Sequence, residues 1–162
     1  VLETNTPSMD IQIASNFERL IYDLNNHDDV ETKNVMTTIK EKGKYIISKE
    51  IIKIIKKDFI SASIDEVEVL NIIKEVYVKY KIILDPHSAI GFGALKKVEL
   101  EGTNIVLATA HPCKFPDTIV RSVNVKPNLP NELKYILGEK ENYDIISNDQ
   151  EKIKKFIKGK IQ

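Results

Sequence analysis

The run Asn104-Ile105-Val106-Leu107-Ala108 constrains what this chain can fold into more than any other segment. From Ile105 onward it is apolar at every position and does not alternate. A strand with no polar side belongs in a sheet covered on both faces, and such sheets are built from strands alternating with helices. Two shorter segments, Ile82-Ile83-Leu84 and Asp144-Ile145-Ile146, read as further strands. The expectation is an α/β fold: residues 1–80 mostly helical, residues 81–162 alternating strand and helix, with a helix at the C-terminal end.

The helices announce their starts. Ser15-Asn16-Phe17-Glu18 has the spacing of a capping box, ahead of an apolar stripe at Phe17, Leu20, Ile21 and Leu24. Ser63-Ile64-Asp65-Glu66 repeats it before Val67, Leu70, Ile73 and Val76, a helix running to about Tyr80. Ser147-Asn148-Asp149-Gln150 does so again before Ile153, Phe156 and Ile157, with Gly159 as the expected stop. Between the first two lie a helix from Asp29 to Lys42, ended by Gly43, and one from Ser48 to Lys57. Asp85-Pro86 opens another, since Asp caps and Pro suits a first turn. Its small residues, Ser88-Ala89-Ile90-Gly91-Phe92-Gly93-Ala94, let a backbone or a cofactor come close.

Composition removes several function classes. Lys+Arg and Asp+Glu both number 24, so the net charge is zero and a nucleic-acid partner, which needs a basic face, is not expected. The basic stretch Lys152–Lys160 reads as the solvated face of a helix whose Ile/Phe stripe is buried. One cysteine, Cys113, allows no internal disulfide, and three scattered histidines give no zinc spacing. No apolar run is long enough to span a membrane, and Val1-Leu2-Glu3-Thr4 has no secretory pattern, so the expected location is the cytoplasm. The chain does not open on Met, and its first residue reads as a cut edge.

Gly91-Phe92-Gly93 lacks the further glycine and strand–turn context of a phosphate-binding loop and reads as a closely packed helix. His27 sits in a polar loop and reads as solvated. Cys113 with His87 or His111 carries no nucleophile signature. Lys57, at the end of an amphipathic helix, meets water instead of the partly desolvated pocket a Schiff-base lysine needs. The informative stretch is Ala108-Thr109-Ala110-His111-Pro112-Cys113-Lys114-Phe115-Pro116. It follows the best strand, and in open α/β sheets ligands gather beyond strand C-termini. Thr109 brings a hydroxyl there, His111 and Lys114 bring polar and cationic groups, and the two prolines stiffen the turn.

Leu107-Ala108-Thr109-Ala110-His111-Pro112-Cys113-Lys114-Phe115 resembles the L-A/S-T-A-H-P-A-K-F motif of threonine synthase of the longer, bacterial and fungal type, with Cys113 in an Ala place. Asp85-Pro86-His87-Ser88-Ala89-Ile90-Gly91 resembles the same family's D-P-H-T-A-V-G. Ser8-Met9-Asp10-Ile11 and Ser15-Asn16-Phe17-Glu18-Arg19 resemble its S-M-D-I and S-N-F-E-R, and Ser147-Asn148-Asp149 its late P-N-D. The four segments come in the family's order and cover nearly the whole chain as a single C-terminal portion.

The resemblance implies part of a fold-type-II lyase, three-layer α/β with a short, mostly parallel sheet, that uses pyridoxal 5'-phosphate to turn O-phospho-L-homoserine and water into L-threonine and phosphate. It implies that Thr109 meets the cofactor's ring nitrogen, and that Ser15, Asn16, Arg19 and Lys114 face the phosphorylated substrate. The family's T-x-A-F-K-D-like lysine run and its cofactor-phosphate loop do not occur in these residues. By itself the polypeptide is therefore expected to be inactive, to hold no cofactor covalently and to self-associate through surface left bare. Two other readings remain: a different fold-type-II lyase, such as a threonine dehydratase or a tryptophan synthase β chain, and a regulatory or interaction module that has lost its catalytic half.

Overall fold

The computed structural model describes residues 3–11, 13–98 and 100–161. They divide into two compact units, Val1–Asn128 and Leu129–Gln162.

The first unit holds six α-helices among its described residues: α1 (Ser15–Leu24), α2 (Asp29–Lys42), α3 (Lys49–Asp58), α4 (Glu66–Tyr80), α5 (Pro86–Lys97) and α6 (Pro116–Val123). The helix ends follow local chemistry. Asp28 accepts from the Glu31 N–H to start α2, and Gly43, at φ 69°, ends it in the left-handed conformation a side chain resists. Ser48 caps α3 through the Ile51 N–H. Asp85 accepts from the backbone N–H groups of His87 and Ser88, with Pro86 in the first turn, as the sequence predicts for α5.

Three starts differ from the spacing. The capping box of α4 is Asp65 with Glu68, two residues beyond the expected Ser63. In the second unit the Lys152 N–H is taken by Asp149, not Ser147. Where Ser and Asp compete within one turn, the carboxylate wins, because it is the stronger acceptor and its charge suits the positive helix end. For α1 the cap position is Ala14, with no side-chain capping bond, and Ser15 is already helical.

The core sits where α4, α5 and α6 meet. Val69, Ile72, Ile73, Val76, Ala89 and Ile119 are buried together, with Ile64, Leu84, Phe92 and Val123 packed around them. Burying each large aliphatic side chain stabilises the unit by about 1.5–3 kcal/mol. Of the expected α4 stripe, Ile73 and Val76 are buried, but Val67 is 67% exposed, and Val69 and Ile72, outside that stripe, are buried beside them. This helix is apolar on more than one side, so periodicity alone does not choose the buried face. A smaller cluster, Ile21 with Val35 and Met36, joins α1 to α2. Lys96 reaches Glu75 at 2.5 and 2.6 Å, and Lys97 reaches Glu68 at 2.7 Å and the Ser63 carbonyl at 2.9 Å, tying α5 to α4 at the surface.

No described residue lies in a β-strand, so the expected sheet is not formed among the described residues. Residues 82–84, 104–108 and 144–146 run without ladder hydrogen bonds. The segment at 104–108 nonetheless has two unlike sides. Val106 is half-buried and its Cγ1 lies 3.1 Å from where a Cβ on Gly91 of α5 would stand, whereas Ile105 and Leu107 are 83% and 73% exposed. A strand exists only beside a neighbour that takes its N–H and C=O groups, and no described segment supplies one here.

In the second unit a 3₁₀ helix, Asn131–Gly138, precedes α7 (Gln150–Ile161), which continues through Gly159 where a stop was expected. No described residue of this unit is buried; Phe156 is half-buried and Ile153 and Ile157 are partly open. The Ile/Phe stripe is thus uncovered, contrary to the buried stripe expected beside Lys152–Lys160. The Lys160–Asp144 pair, at 3.2 Å, lies within the unit.

Candidate functional site

The site is organised by the buried first turn of α5. Asp85, His87 and Ser88 are all buried, an unusual concentration of polar groups for a chain of this size. Such groups persist when they are hydrogen-bonded. The Asp85 carboxylate takes two backbone N–H groups at the helix start, at 2.9 and 3.3 Å, and its other oxygen accepts from the Ser88 hydroxyl.

Three distant segments converge on this turn. The Ser88 Oγ accepts the Thr109 backbone N–H at 3.2 Å. The His87 Nε2 accepts the Ser8 backbone N–H at 3.3 Å. The Phe115 ring lies 4.9 Å from the His87 ring, tilted at 53°. Because Nε2 accepts, neutral His87 carries its proton on Nδ1; that atom is 3.4 Å from Asp85 Oδ1 without forming a hydrogen bond. The segment before Ser8 is itself tied down, with Asp10 accepting from the Thr4 N–H and hydroxyl at 2.8 Å each.

Thr109 stands, exposed, on the wall of an open, mostly apolar cleft of about 530 Å³. His87 and Met9 also line it, together with α5 residues Ile90, Gly91 and Ala94 and the extended segment from Asn104 to Leu107. No lysine is among the described residues of its lining. Beyond Thr109 the chain turns through a 3₁₀ helix, Pro112–Lys114, which His111 caps by accepting the Cys113 N–H on Nδ1 at 3.2 Å. Lys114 is exposed on that turn, and Cys113 is half-buried. Gly91-Phe92-Gly93 is helical within α5.

The remaining predicted residues lie on α1. Ser15, Asn16 and Arg19 are exposed, and Arg19 lines a groove with Tyr22, Asp29, Lys33 and Met36 from α1 and α2. Arg19 and Thr109 therefore line different cavities. Lys57 is exposed near the end of α3, and His27, also exposed, lies 3.3 Å from Asp23. Sequence reasoning gave Asp85 only the role of a cap and gave Ser88 and His87 none. The available signal was a capping Asp followed within three residues by a second short polar side chain, ahead of a helix of small residues.

A family model described as "Threonine synthase, C-terminal" matches residues 88–157. The chain is 31% identical over 155 residues to the threonine synthase of Pseudomonas aeruginosa, covering 94% of this chain and 33% of that protein. It is 33% identical over 187 residues to the Saccharomyces cerevisiae threonine synthase, covering 99% of this chain and 36% of the yeast protein. Among solved structures, that of pyridoxal-phosphate-bound threonine synthase from Brucella melitensis superposes with a TM-score of 0.78 at 35% identity, covering 98% of this chain and 34% of that one.

The fold is thus that of a portion of a fold-type-II, pyridoxal-phosphate-binding enzyme. The chain matches the C-terminal portion of threonine synthases. It spans about a third of the length of the curated relatives it matches.

Proposed function

We propose that this chain forms one wall of a threonine synthase active site, in an enzyme that converts O-phospho-L-homoserine and water to L-threonine and phosphate in the cytoplasm. The observation that carries the reading is Thr109: exposed on a cleft wall, with its backbone held from below by a buried serine. The fit with pyridoxal phosphate is partial and specific. A hydroxyl on an apolar wall suits the edge of a pyridine ring, while the lysine that would anchor the cofactor is absent from the described lining.

When bound, pyridoxal phosphate supplies an electron sink for the eliminations this reaction requires. Thr109 would meet the ring nitrogen with a neutral hydroxyl. Unlike a carboxylate, a hydroxyl does not hold that nitrogen protonated, which tempers the sink. Ser15, Asn16 and Arg19, at the start of α1, and Lys114, after Thr109, would face the substrate's phosphate, where helix N–H groups and cations favour negative charge. The segment at 104–108 would become a strand of a short parallel sheet once upstream polypeptide supplies a neighbouring strand for its N–H and C=O groups and covers Ile105 and Leu107. Left bare, those side chains favour self-association.

On this reading the 162 residues alone neither catalyse the reaction nor hold the cofactor covalently. The test is borohydride reduction of the chain mixed with pyridoxal phosphate, followed by peptide mass spectrometry. Scattered, substoichiometric labelling of surface lysines is expected. A stoichiometric adduct at one lysine, with phosphate released from O-phosphohomoserine by this chain alone, overturns the reading. A polypeptide that carries this chain behind the family's upstream portion is expected to release phosphate and to lose most of that activity on Thr109→Val.

A further inference from the structure

Among the described residues, the hydrogen bond that fixes Thr109 comes from the first turn of α5. Thr109 follows an extended segment that has no ladder hydrogen bonds and one bare side, so its neighbours in sequence do little to place it. Its backbone N–H has an acceptor, the Ser88 Oγ. That hydroxyl can accept from Thr109 only while its own proton points elsewhere, and it points at the Asp85 carboxylate. Asp85 is in turn immobilised by the two α5 N–H groups it caps. The direction of donation is therefore set at every step, from Thr109 to Ser88 to Asp85, and all of it below the Thr109 backbone is buried.

We infer that Ser88 is a positioning residue for the cofactor site: with its proton committed to Asp85, its hydroxyl holds the Thr109 backbone at the height at which the Thr109 side chain meets the cofactor ring. The inference rests on the reading of Thr109 given above. Ser88 does not touch the ring; it acts through Thr109. The chemistry asks for a small acceptor that is also a donor, which restricts the position to Ser or Thr. The related motif has Thr there, so a β-branched side chain with the same hydroxyl fits the place. Asp85→Asn keeps an oxygen for the cap but turns a donor toward Ser88. The serine can then accept twice, its proton is released, and the hold on Thr109 is weakened without being removed.

The decisive comparison is Ser88→Thr against Ser88→Val, which share a shape and differ in the hydroxyl. It is made in the cofactor-loaded polypeptide that carries this chain behind the upstream portion. Two readouts do not depend on turnover: the visible absorbance and fluorescence of the bound cofactor, and amide hydrogen exchange across residues 105–115 in the cofactor-free protein. Ser88→Val is expected to speed exchange at the Thr109 amide about tenfold, the loss of one buried hydrogen bond. It is also expected to move the cofactor spectrum in the same sense as Thr109→Val and to lower kcat with little change in KM. Ser88→Thr is expected to match the parent in all three. Ser88→Ala provides a second hydroxyl-free variant should the Val side chain disturb the fold.

A parental spectrum and parental exchange in both hydroxyl-free variants overturn the inference. So does a Ser88→Thr variant that behaves like Ser88→Val, since bulk and not the hydroxyl would then be at work. If Thr109→Val itself leaves the cofactor spectrum unchanged, the reading of Thr109 fails. That result is distinguishable from failure of the positioning role, in which Thr109→Val shifts the spectrum and Ser88→Val does not.

Discussion

Gly93→Ala tests whether the α4–α5 contact is as tight as the packing implies. A Cβ added at Gly93 would stand 2.5 Å from Ile72 Cδ1, and 3.1 and 3.2 Å from Ile64 Cδ1 and Cγ1. The first distance cannot survive, so Ile72 must move, and it is buried among Ile73, Val76 and Ala89. Overpacking of this kind costs about 1–3 kcal/mol. Replacing a helical glycine by alanine returns about 1 kcal/mol through backbone entropy. The net expectation is a loss of about 1 kcal/mol, which lowers the urea midpoint by about 0.5 M for a chain of this size.

A companion variant isolates the cause. Ile72→Val deletes the clashing methyl and alone costs about 1 kcal/mol. Combined with Gly93→Ala it removes the collision, so the double variant should be about 1–2 kcal/mol more stable than the sum of the single effects, a coupling expected of residues in contact. Gly91→Ala is the control. Its new Cβ meets only Val106 Cγ1, at 3.1 Å, on a segment without ladder bonds that can yield. That variant should be neutral or stabilised. Equilibrium urea unfolding followed by far-UV circular dichroism reads the four variants beside the parent. A Gly93→Ala chain at or above the parental midpoint, or a cycle additive to within about 0.3 kcal/mol, would refute the argument.

Further outcomes follow from single contacts. Ser122 donates to the Leu70 carbonyl at 2.6 Å, joining α6 to α4, so Ser122→Ala should cost about 1 kcal/mol in the same unfolding assay. The Glu68 carboxyl is held below its ordinary value, chiefly by hydrogen bonding with Lys97 and next by the Asp65 backbone N–H. Since its folded pKa lies below the unfolded one, its contribution is full above the ordinary carboxylate range and is lost as pH falls through the folded value. Glu68→Gln should therefore lower Tm at neutral pH and converge with the parent in acid; parallel Tm curves at all pH values would contradict this. Replacing both Ile105 and Leu107 by Thr should leave stability within about 0.5 kcal/mol, because both are exposed, while raising the concentration at which light scattering detects self-association.

How much of the fold was legible depended on how local its cause was. The starts of α2, α3 and α5 and the stop at Gly43 each rest on one side chain or one glycine acting within a turn, and sequence spacing found them. The α4 start slipped by two residues because Ser63 and Asp65 both satisfy a capping template, and the template does not rank acceptors. Its buried face was found in part, at Ile73 and Val76, and the burial of Val69 and Ile72 was not, because α5 and α6 widen the covered side. The stop expected at Gly159 failed for the converse reason. A glycine inside an exposed helix costs about 1 kcal/mol, which does not by itself end the helix.

The site shows the same division. Thr109 drew attention in the sequence because it follows the most apolar run in the chain and begins a turn stiffened by two prolines. The turn that holds it was not, because Ser88 and Thr109 are 21 residues apart and nothing in either local sequence names the other. The extended segment between them carries the larger lesson. Ile105-Val106-Leu107 was read as a strand covered on both faces, yet one side packs on α5 and the other stands open. Hydrophobicity specifies that a surface is to be covered, not that the covering lies in the same 162 residues. The relatives are about three times as long as this chain, and the length they add is where a partner for those two side chains is to be sought. An apolar run that stays exposed when its own residues fold is therefore a surface whose cover must come from outside those residues.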